Sequence, residues 1–203
     1  MAIQKIDDIY ELLKGNTQKK RLVVAYANDS HSIEAVNKAV EMGIVEATLC
    51  GDENEIRKVC AEHGFDISRF KIVNEPVDTK AAAKAVQMVR DKEADFIMKG
   101  LVSTDKYMRA ILNKECGLLP PKATLSHVVV MECPNYHKLL VFSDAAIIPA
   151  PDFSQKMAIV KYVTQIANAL GVQRPKVAMN KYFRKWSLPR MLPFLPRWER
   201  EVS

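Results

Sequence analysis

No apolar run approaches the roughly 18 residues a membrane-spanning helix needs, so no transmembrane helix is expected. The opening, MAIQKIDDIYELLKG, carries acids where a secretion signal carries an apolar block, which points to the cytoplasm. The four cysteines, Cys50, Cys60, Cys116 and Cys133, form no C-x-x-C pair and are expected as reduced thiols. Cys133 and His137 stand four apart, but Pro134 excludes a helix between them, and zinc needs three or four ligands, so no metal site is expected. Neither G-x-G-x-x-G nor G-x-x-x-x-G-K-S/T occurs, which removes the usual dinucleotide and P-loop signals. Internal repeats and low-complexity segments are also lacking.

What is present is ordinary globular material: 203 residues, 48% apolar and 27% charged, enough for a buried core. The net charge of +6 arises from 30 basic and 24 acidic residues, but it is unevenly distributed. Residues 181–203 contain six Lys/Arg against two Glu, net +4, which leaves the remainder near neutral at +2. A basic pI carried by a short tail is poor evidence for a nucleic-acid surface, and no nucleic-acid partner is expected. The tail also holds Trp186 and Trp198, the chain's two tryptophans, together with Pro189, Pro193 and Pro196.

Through the first half, compact apolar blocks alternate with amphipathic stretches. Residues 3–14 have helical periodicity. Residues 21–27 (RLVVAYA), 45–51 (VEATLCG), 70–76 (FKIVNEP) and 95–100 (DFIMKG) read as strands, the first as one buried on both faces. Between them lie helical segments with Asp29, Ser30 or Ser32 available as a cap and with Gly43 and Gly64 as closing residues. Alternation at this spacing predicts a doubly wound parallel sheet, an α/β fold whose ligands sit beyond the carboxyl ends of the strands. After Arg109 the pattern changes. Residues 126–132 and 138–143, joined by CPNYH, predict an antiparallel hairpin. A long helix follows, opened by Pro151 and Asp152 and closed by Gly171, and PKVAMN starts a further strand. The expected division is a first α/β domain over 1–116, a partial second domain over 117–179 and an aberrant basic tail over 180–203.

The densest polar cluster runs from Lys99 to Arg109. A strand ends, Gly100 permits close backbone approach, and Ser103 and Thr104 sit where a helix starts, so amides and hydroxyls there suit an anion. Arg109 falls about 240° round that helix from Ser103. The same residues also describe an ordinary capped helix with a surface lysine and arginine. Ser126-His127 offers a nucleophile beside a base, but neighbours on a strand point oppositely, and no orienting third group is evident. Asp144, at the end of an apolar strand, is either a turn former or a polar group facing a cleft. His31 and His63 are read as solvated.

As a set, MKGLVSTDKYMRAILNKECGL, LSHVVVMECPNYHKLLVFSDAAIIPAPD and ANALGVQRPKVA resemble the phosphate acetyl/butyryltransferase family, the butyryltransferases most of all. The resemblance covers residues 1–179. It implies a two-domain fold of the isocitrate dehydrogenase-like kind, usually a homodimer, with the active site in the interdomain cleft. The implied reaction is acyl-CoA plus inorganic phosphate giving acyl phosphate plus CoA, without an acyl-enzyme. CoA is then a substrate, and no metal or organic cofactor is implied. The family pattern makes Ser103, Thr104 and Arg109 binders of phosphate and CoA. It sets Lys99 and Gly100 in the same loop and puts Ser126 and Asp144 along the cleft.

The resemblance also implies an aspartate base and a second serine–arginine pair in the last third of family members, and no residue here matches them. After Met179 the family expects V-N-P-K-M-x-x-T-x-D-A-A. Back-translating from the third base of the Met179 codon allows E-Q-V-F-P-K-M-E-S-T-E-D-A-A, so residues 180–203 are read as out-of-frame translation. A natural divergent tail, such as a basic amphipathic anchor, is the weaker reading, because the clustered prolines interrupt any helix long enough to bind a surface. Three functional expectations stand: an acyltransferase, an inactive truncated fragment with partial CoA and phosphate binding, and, least favoured by the resemblance, an unrelated anion-binding α/β module. An incomplete second domain is further expected to leave the hairpin and the long helix with unburied apolar faces.

Overall fold

A computed structural model describes residues 2–14 and 18–179; the tail at 180–203 lies outside the described residues. The chain forms two compact units, Lys5–Ala123 and a second made of Met1–Gln4 with Thr124–Ser203. The division therefore falls later than the expected Gly117. Backbone bonds from Gly117 to Asn113 (2.9 Å) and from Leu118 to Ile111 (2.9 Å) tie the intervening residues to the helix before them.

In Lys5–Ala123 the elements run α1 (Ile6–Lys14), β1 (Lys20–Ala25), α2 (Ser30–Glu41), β2 (Val45–Gly51), α3 (Glu53–His63), β3 (Phe70–Asn74), α4 (Asp78–Arg90), β4 (Phe96–Lys99) and α5 (Thr104–Ile111). All strand pairs are parallel, and the order is β3-β2-β1-β4. The chain builds outward from β1 through β2 to β3. It then crosses back over the sheet along α4 to lay β4 on the other side of β1. Side chains alternate across a strand, so β1 feeds two cores. Leu22 and Val24 join Ile33 and Val36 of α2 and Ile56 and Cys60 of α3. Val23 and Ala25 join Ala81, Ala82, Ala85 and Met88 of α4. This is the expected doubly wound sheet, with helices on both faces. Each fully buried Val, Leu or Ile contributes about 1.5–3 kcal/mol, and β1 supplies Val23 and Val24 at 0% exposure.

Helix starts follow local chemistry. Of the three possible caps for α2, Asp29 takes the role, its carboxylate accepting the Ser32 N–H at 2.8 Å. Asp52 caps α3 through the Asn54 and Glu55 amides, and Gly64 closes that helix in the left-handed conformation at φ 71°. Gly51, which ends β2, has no room for a Cβ: it would lie 2.2 Å from Asn28 Oδ1. That same oxygen accepts the Asp52 N–H at 3.1 Å and joins the turns after β1 and β2.

At the amino edge, Arg21 of β1 and Asp95 before β4 exchange four bonds. The Asp95 carboxylate accepts from the Arg21 N–H at 2.8 Å and from its guanidinium at 2.9 and 3.3 Å, while the Asp95 N–H donates to Arg21 C=O at 2.8 Å. The guanidinium bond foremost, then the Arg21 N–H, hold the Asp95 carboxyl at about 2.

The second unit is smaller. β5 (Val128–Met131) and β6 (Leu140–Ser143) pair antiparallel as a two-stranded ribbon, and α6 (Phe153–Ala169) follows. Asp152 and Gln155 form a reciprocal cap at its start, with bonds of 2.8 and 2.9 Å, and Gly171 ends it at φ 83°. The Ile3 N–H reaches Leu170 C=O at 2.8 Å, and the Tyr162 hydroxyl donates to Thr124 C=O at 2.8 Å. The strand expected from PKVAMN is not formed over 175–179, because a strand requires a neighbouring ladder and no described residue pairs there.

Two outcomes follow for stability. Replacing Gly100 by Ala sets a Cβ 2.3 Å from Tyr26 O, a backbone atom that cannot swing aside. The expected loss is about 3 kcal/mol, read as a lowered urea midpoint. Asp95 has its folded pKa depressed to about 2 from an ordinary 3.8, so its contribution is present above the ordinary value and lost as pH falls through about 2. Asp95→Asn is expected to flatten the acid limb of stability over that window in urea titrations at stepped pH.

Candidate functional site

The sheet order reverses between β1 and β4, and in open α/β sheets the crevice outside the carboxyl ends at such a point is where ligands bind. The turn from β4 into α5 lies there, pressed onto the turn that leaves β1. The Gly100 N–H donates to Ala25 C=O at 3.0 Å and the Leu101 N–H to Tyr26 C=O at 2.8 Å. Tyr26 itself adopts φ 63°, a left-handed conformation uncommon outside glycine. Val102, 1% exposed, plugs the turn into the core beneath α4.

Lys99, Gly100, Ser103 and Thr104 are thus brought onto one rigid turn. Ser103 is the N-cap of α5, its hydroxyl accepting the Lys106 N–H at 3.4 Å. With the Gly100 and Leu101 amides already taken, the N–H groups left at the helix start are those of Thr104 and Asp105, which have no carbonyl one turn back in their own helix. The helix dipole makes that end positive. Lys99 is exposed, with Nζ 3.4 Å from Gly100 O. Lys106 bridges to Asp78 at the head of α4 at 2.6 Å, and this bond is the main reason the Asp78 carboxyl lies below its ordinary range.

Arg109 does not meet Ser103. Its guanidinium pairs with Asp105, one turn back, at 3.0 Å, with side-chain exposures of 77% and 68%. An i, i+4 partner is the nearest charge a helical arginine can reach, and this one outcompetes a hydroxyl at 240°. The pair is solvent-exposed and worth about 0–1 kcal/mol.

Ser126 and Asp144 belong to the other unit, and the structure brings them together. Their register follows from Val128 facing Ser143 across the ribbon. Asp144 Oδ1 accepts the Ile147 and Ile148 amides at 3.0 and 2.7 Å, and Oδ2 accepts the Ser126 hydroxyl at 3.2 Å. Asp144 stands at φ 60°, with its N–H bonded to His127 C=O at 3.0 Å. The carboxylate is therefore a turn former that also takes a neighbouring hydroxyl. Ser143, which sequence reasoning missed, lies 3.0 Å from Ser126 Oγ and donates to His127 C=O at 2.6 Å. That bond uses its proton, so Ser126 is the donor within the trio. The signal was the S-D dipeptide ending the second hairpin strand, readable once the ribbon register is known.

Other reactive groups are placed elsewhere. Burial lifts the Cys50 thiol to about 11, and it donates to Ala81 C=O at 3.5 Å; Cys60 is raised for the same reason. Among the described residues the four cysteines are unpaired, no cluster of His, Cys, Asp or Glu is arranged for a metal ion, and no helix is long and apolar enough to cross a membrane. An open groove of about 590 Å³ beside α4, lined by Glu75, Lys80, Lys84, Arg90 and Cys116, contains none of the substrate-binding residues expected from sequence.

A family model described as Phosphate acetyl/butaryl transferase matches residues 5–83 and 70–187. The chain belongs to this family. The match runs past Met179, where the sequence led us to expect it to end. Over 176 residues the chain is 42% identical to the phosphate butyryltransferase of Clostridium acetobutylicum, covering 87% of this chain and 58% of that one. It is 34% identical over 174 residues to the phosphate acetyltransferase of Thermotoga maritima, covering 86% and 58%. Its fold is similar to a solved branched-chain phosphotransacylase from Enterococcus faecalis (TM-score 0.64, 24% identity, 77% of this chain, 54% of that one). The same holds for the EutD phosphotransacetylase of Staphylococcus aureus (TM-score 0.63, 15% identity, 81% and 58%). The chain spans a little over half the length of these family members.

The Asp144 geometry is open to direct test. Asp144→Asn keeps an oxygen for the Ile147 and Ile148 amides, whereas Asp144→Leu leaves both without an acceptor and strains a branched side chain at positive φ. We expect near-native melting for the first and a loss of about 2–4 kcal/mol for the second, read by urea unfolding monitored on this unit.

Proposed function

We propose that the protein works in phosphate acyl transfer, converting acyl-CoA of the butyryl-CoA class and inorganic phosphate into acyl phosphate and CoA. The observation that carries the reading is the rigid β4–α5 turn at the switch point, with two first-turn amides and two hydroxyls on one anion-favouring helix start, in a chain of this family. A phosphate oxygen attacks the thioester carbonyl, the C–S bond breaks, and the departing sulfur is released as thiolate or takes a proton. A thiol with a pKa near ~8.5 makes a competent leaving group, so the demand on the protein is chiefly to bind and orient two anions.

In this reading Ser103, Thr104 and the Thr104 and Asp105 amides hold phosphate oxygens, and Lys99 and Lys106 supply positive potential. Arg109 leaves Asp105 for an incoming anion, an exchange that costs little because the exposed pair is weak. Ser126, its proton committed inward, presents lone pairs to ligand N–H groups, with Asp144 and Ser143 fixing its rotor. CoA is a substrate here and not a cofactor. The working protein is a cytoplasmic homodimer.

The test is thiol release from butyryl-CoA on addition of phosphate. Thr104→Val, which keeps shape and removes the hydroxyl, is expected to lower kcat by about 10²-fold. Arg109→Ala is expected to raise the KM for phosphate with unchanged melting temperature, and Arg109→Lys to restore part of it. Both variants turning over like the parent would sink the assignment. CoA raising the melting temperature without any turnover would favour a binding fragment.

A further inference from the structure

The groove of about 590 Å³ along α4 lies wholly within Lys5–Ala123 and shares no residue with the β4–α5 turn. Its volume is in the range of small-molecule sites. Lys80 stands about 200° round α4 from Asp78, so the groove occupies the helix face turned away from the Asp78–Lys106 bridge. Lys80, Lys84 and Gln87 recur at helical spacing as one stripe, and Ala83 leaves a low apolar floor beside them. Arg90 closes the far end, about 15 Å along the helix from Lys80. Its guanidinium donates to Glu115 C=O at 2.7 Å and fixes the segment that carries the exposed Cys116 thiol. Asn113 Oδ1 holds the same segment by accepting the Glu115 and Cys116 amides at 2.9 and 3.0 Å.

No acid pairs with Lys80, Lys84 or Arg90 among the described residues. Other helices set opposite charges four apart, as in Glu34–Lys38, Glu53–Arg57 and Asp105–Arg109. Lys80 and Lys84 are like charges at that spacing, which costs stability until an anion lies between them. Lys84 is half-buried, and the Cys50 thiol bonded to Ala81 C=O feels both its ammonium and the Glu75 carboxylate, so both head groups lie at the inner wall. Glu75 precedes α4 and Asp91 follows it, and these acids repel an anion from either end. The favourable position for negative charge is therefore central, between the two lysines.

We propose that this groove binds a small hydroxylated phosphomonoester, its phosphate between Lys80 and Lys84 and its body along Ala83 and Gln87 toward Arg90 and Cys116. Two ammonium groups one turn apart are point charges suited to a dianion. The Gln87 amide offers both a donor and an acceptor to hydroxyls, and Arg90 keeps further N–H groups beyond the one given to Glu115. Sugar phosphates and nucleoside monophosphates share this chemistry. The inference goes beyond the acyl-transfer reading and uses none of that site's residues.

The test adds ribose 5-phosphate, AMP or inorganic phosphate to the full 203-residue chain and follows iodoacetamide alkylation of each cysteine by mass spectrometry. An ester in the groove is expected to slow alkylation of Cys116 by about fivefold or more and to leave Cys133, in the other unit, unchanged. Protection by AMP alone identifies a nucleotide site, and protection by ribose 5-phosphate a sugar-phosphate site. Lys80→Met with Lys84→Met keeps the apolar stems, removes both charges and is expected to abolish protection. Ala83→Leu, a good helix former on an exposed position, fills the floor and is expected to reduce protection by about fivefold in a folded chain. Thr104→Val, at the β4–α5 turn, leaves protection unchanged. The inference is overturned when neither ester protects, when inorganic phosphate protects equally, when Cys133 slows as much as Cys116, or when protection survives in the lysine double variant or in Ala83→Leu.

Discussion

Two backbone bonds, from Gly100 to Ala25 and from Leu101 to Tyr26, exist because nothing stands at the Cβ position of residue 100. They carry the β1–β4 ladder beyond its last paired residues, Ala25 and Lys99, into the turns that follow. Val102 then drops into the core under α4, and Ser103 is delivered at the angle that starts α5. The position of every polar group on that turn descends from this contact. A bulkier residue would push the two turns apart, and the helix start would no longer lie in the crevice between β1 and β4.

The electrostatics of the turn follow from the same placement. α4 and α5 both begin at the carboxyl edge, and two positive helix ends side by side call for an anion. Asp78 answers at the head of α4 and is shared with Lys106 from the first turn of α5. The acid thereby neutralises its own helix end and holds a cation near the neighbouring one. Asp105 and Arg109 do the same more loosely at the surface. The free end of α5 is therefore flanked by charges already arranged in pairs, and a dianion entering there competes with weak, exposed partners and not with buried ones.

How much of this was legible in the sequence depends on the range of the interaction. Elements whose boundaries rest on local chemistry could be read directly: the buried block of β1, the Asp52 and Gly64 limits of α3, the Asp152 start of α6. The β3-β2-β1-β4 order is a tertiary fact, since periodicity in α4 does not say which side of β1 it delivers β4 to. Arg109 shows the limit at short range. Helical geometry placed it off the axis of Ser103, but only the structure shows Asp105 taking it. The Ser126–Ser143–Asp144 trio depends on strand register, which the intervening CPNYH turn sets and composition alone does not. The strand expected from PKVAMN failed for a related reason: propensity describes a segment, whereas a strand belongs to a pair.

That last distinction also separates the two units. β1 needs β2 and β4 on its edges and helices on both faces, and all four are supplied within Lys5–Ala123, so its Val and Ala side chains reach full burial. β5 is as apolar in sequence, VVVM against RLVVA, yet its three valines are only half-buried, with β6 as its one neighbouring strand among the described residues. Hydrophobic stabilisation scales with the area removed from water, so equal sequences contribute unequally according to what covers them. The capping box and the Asp144 turn specify the geometry of the second unit closely, but they are hydrogen bonds of modest net worth. Local order in that unit is thus well determined, while the apolar burial of its strands stays below that of β1.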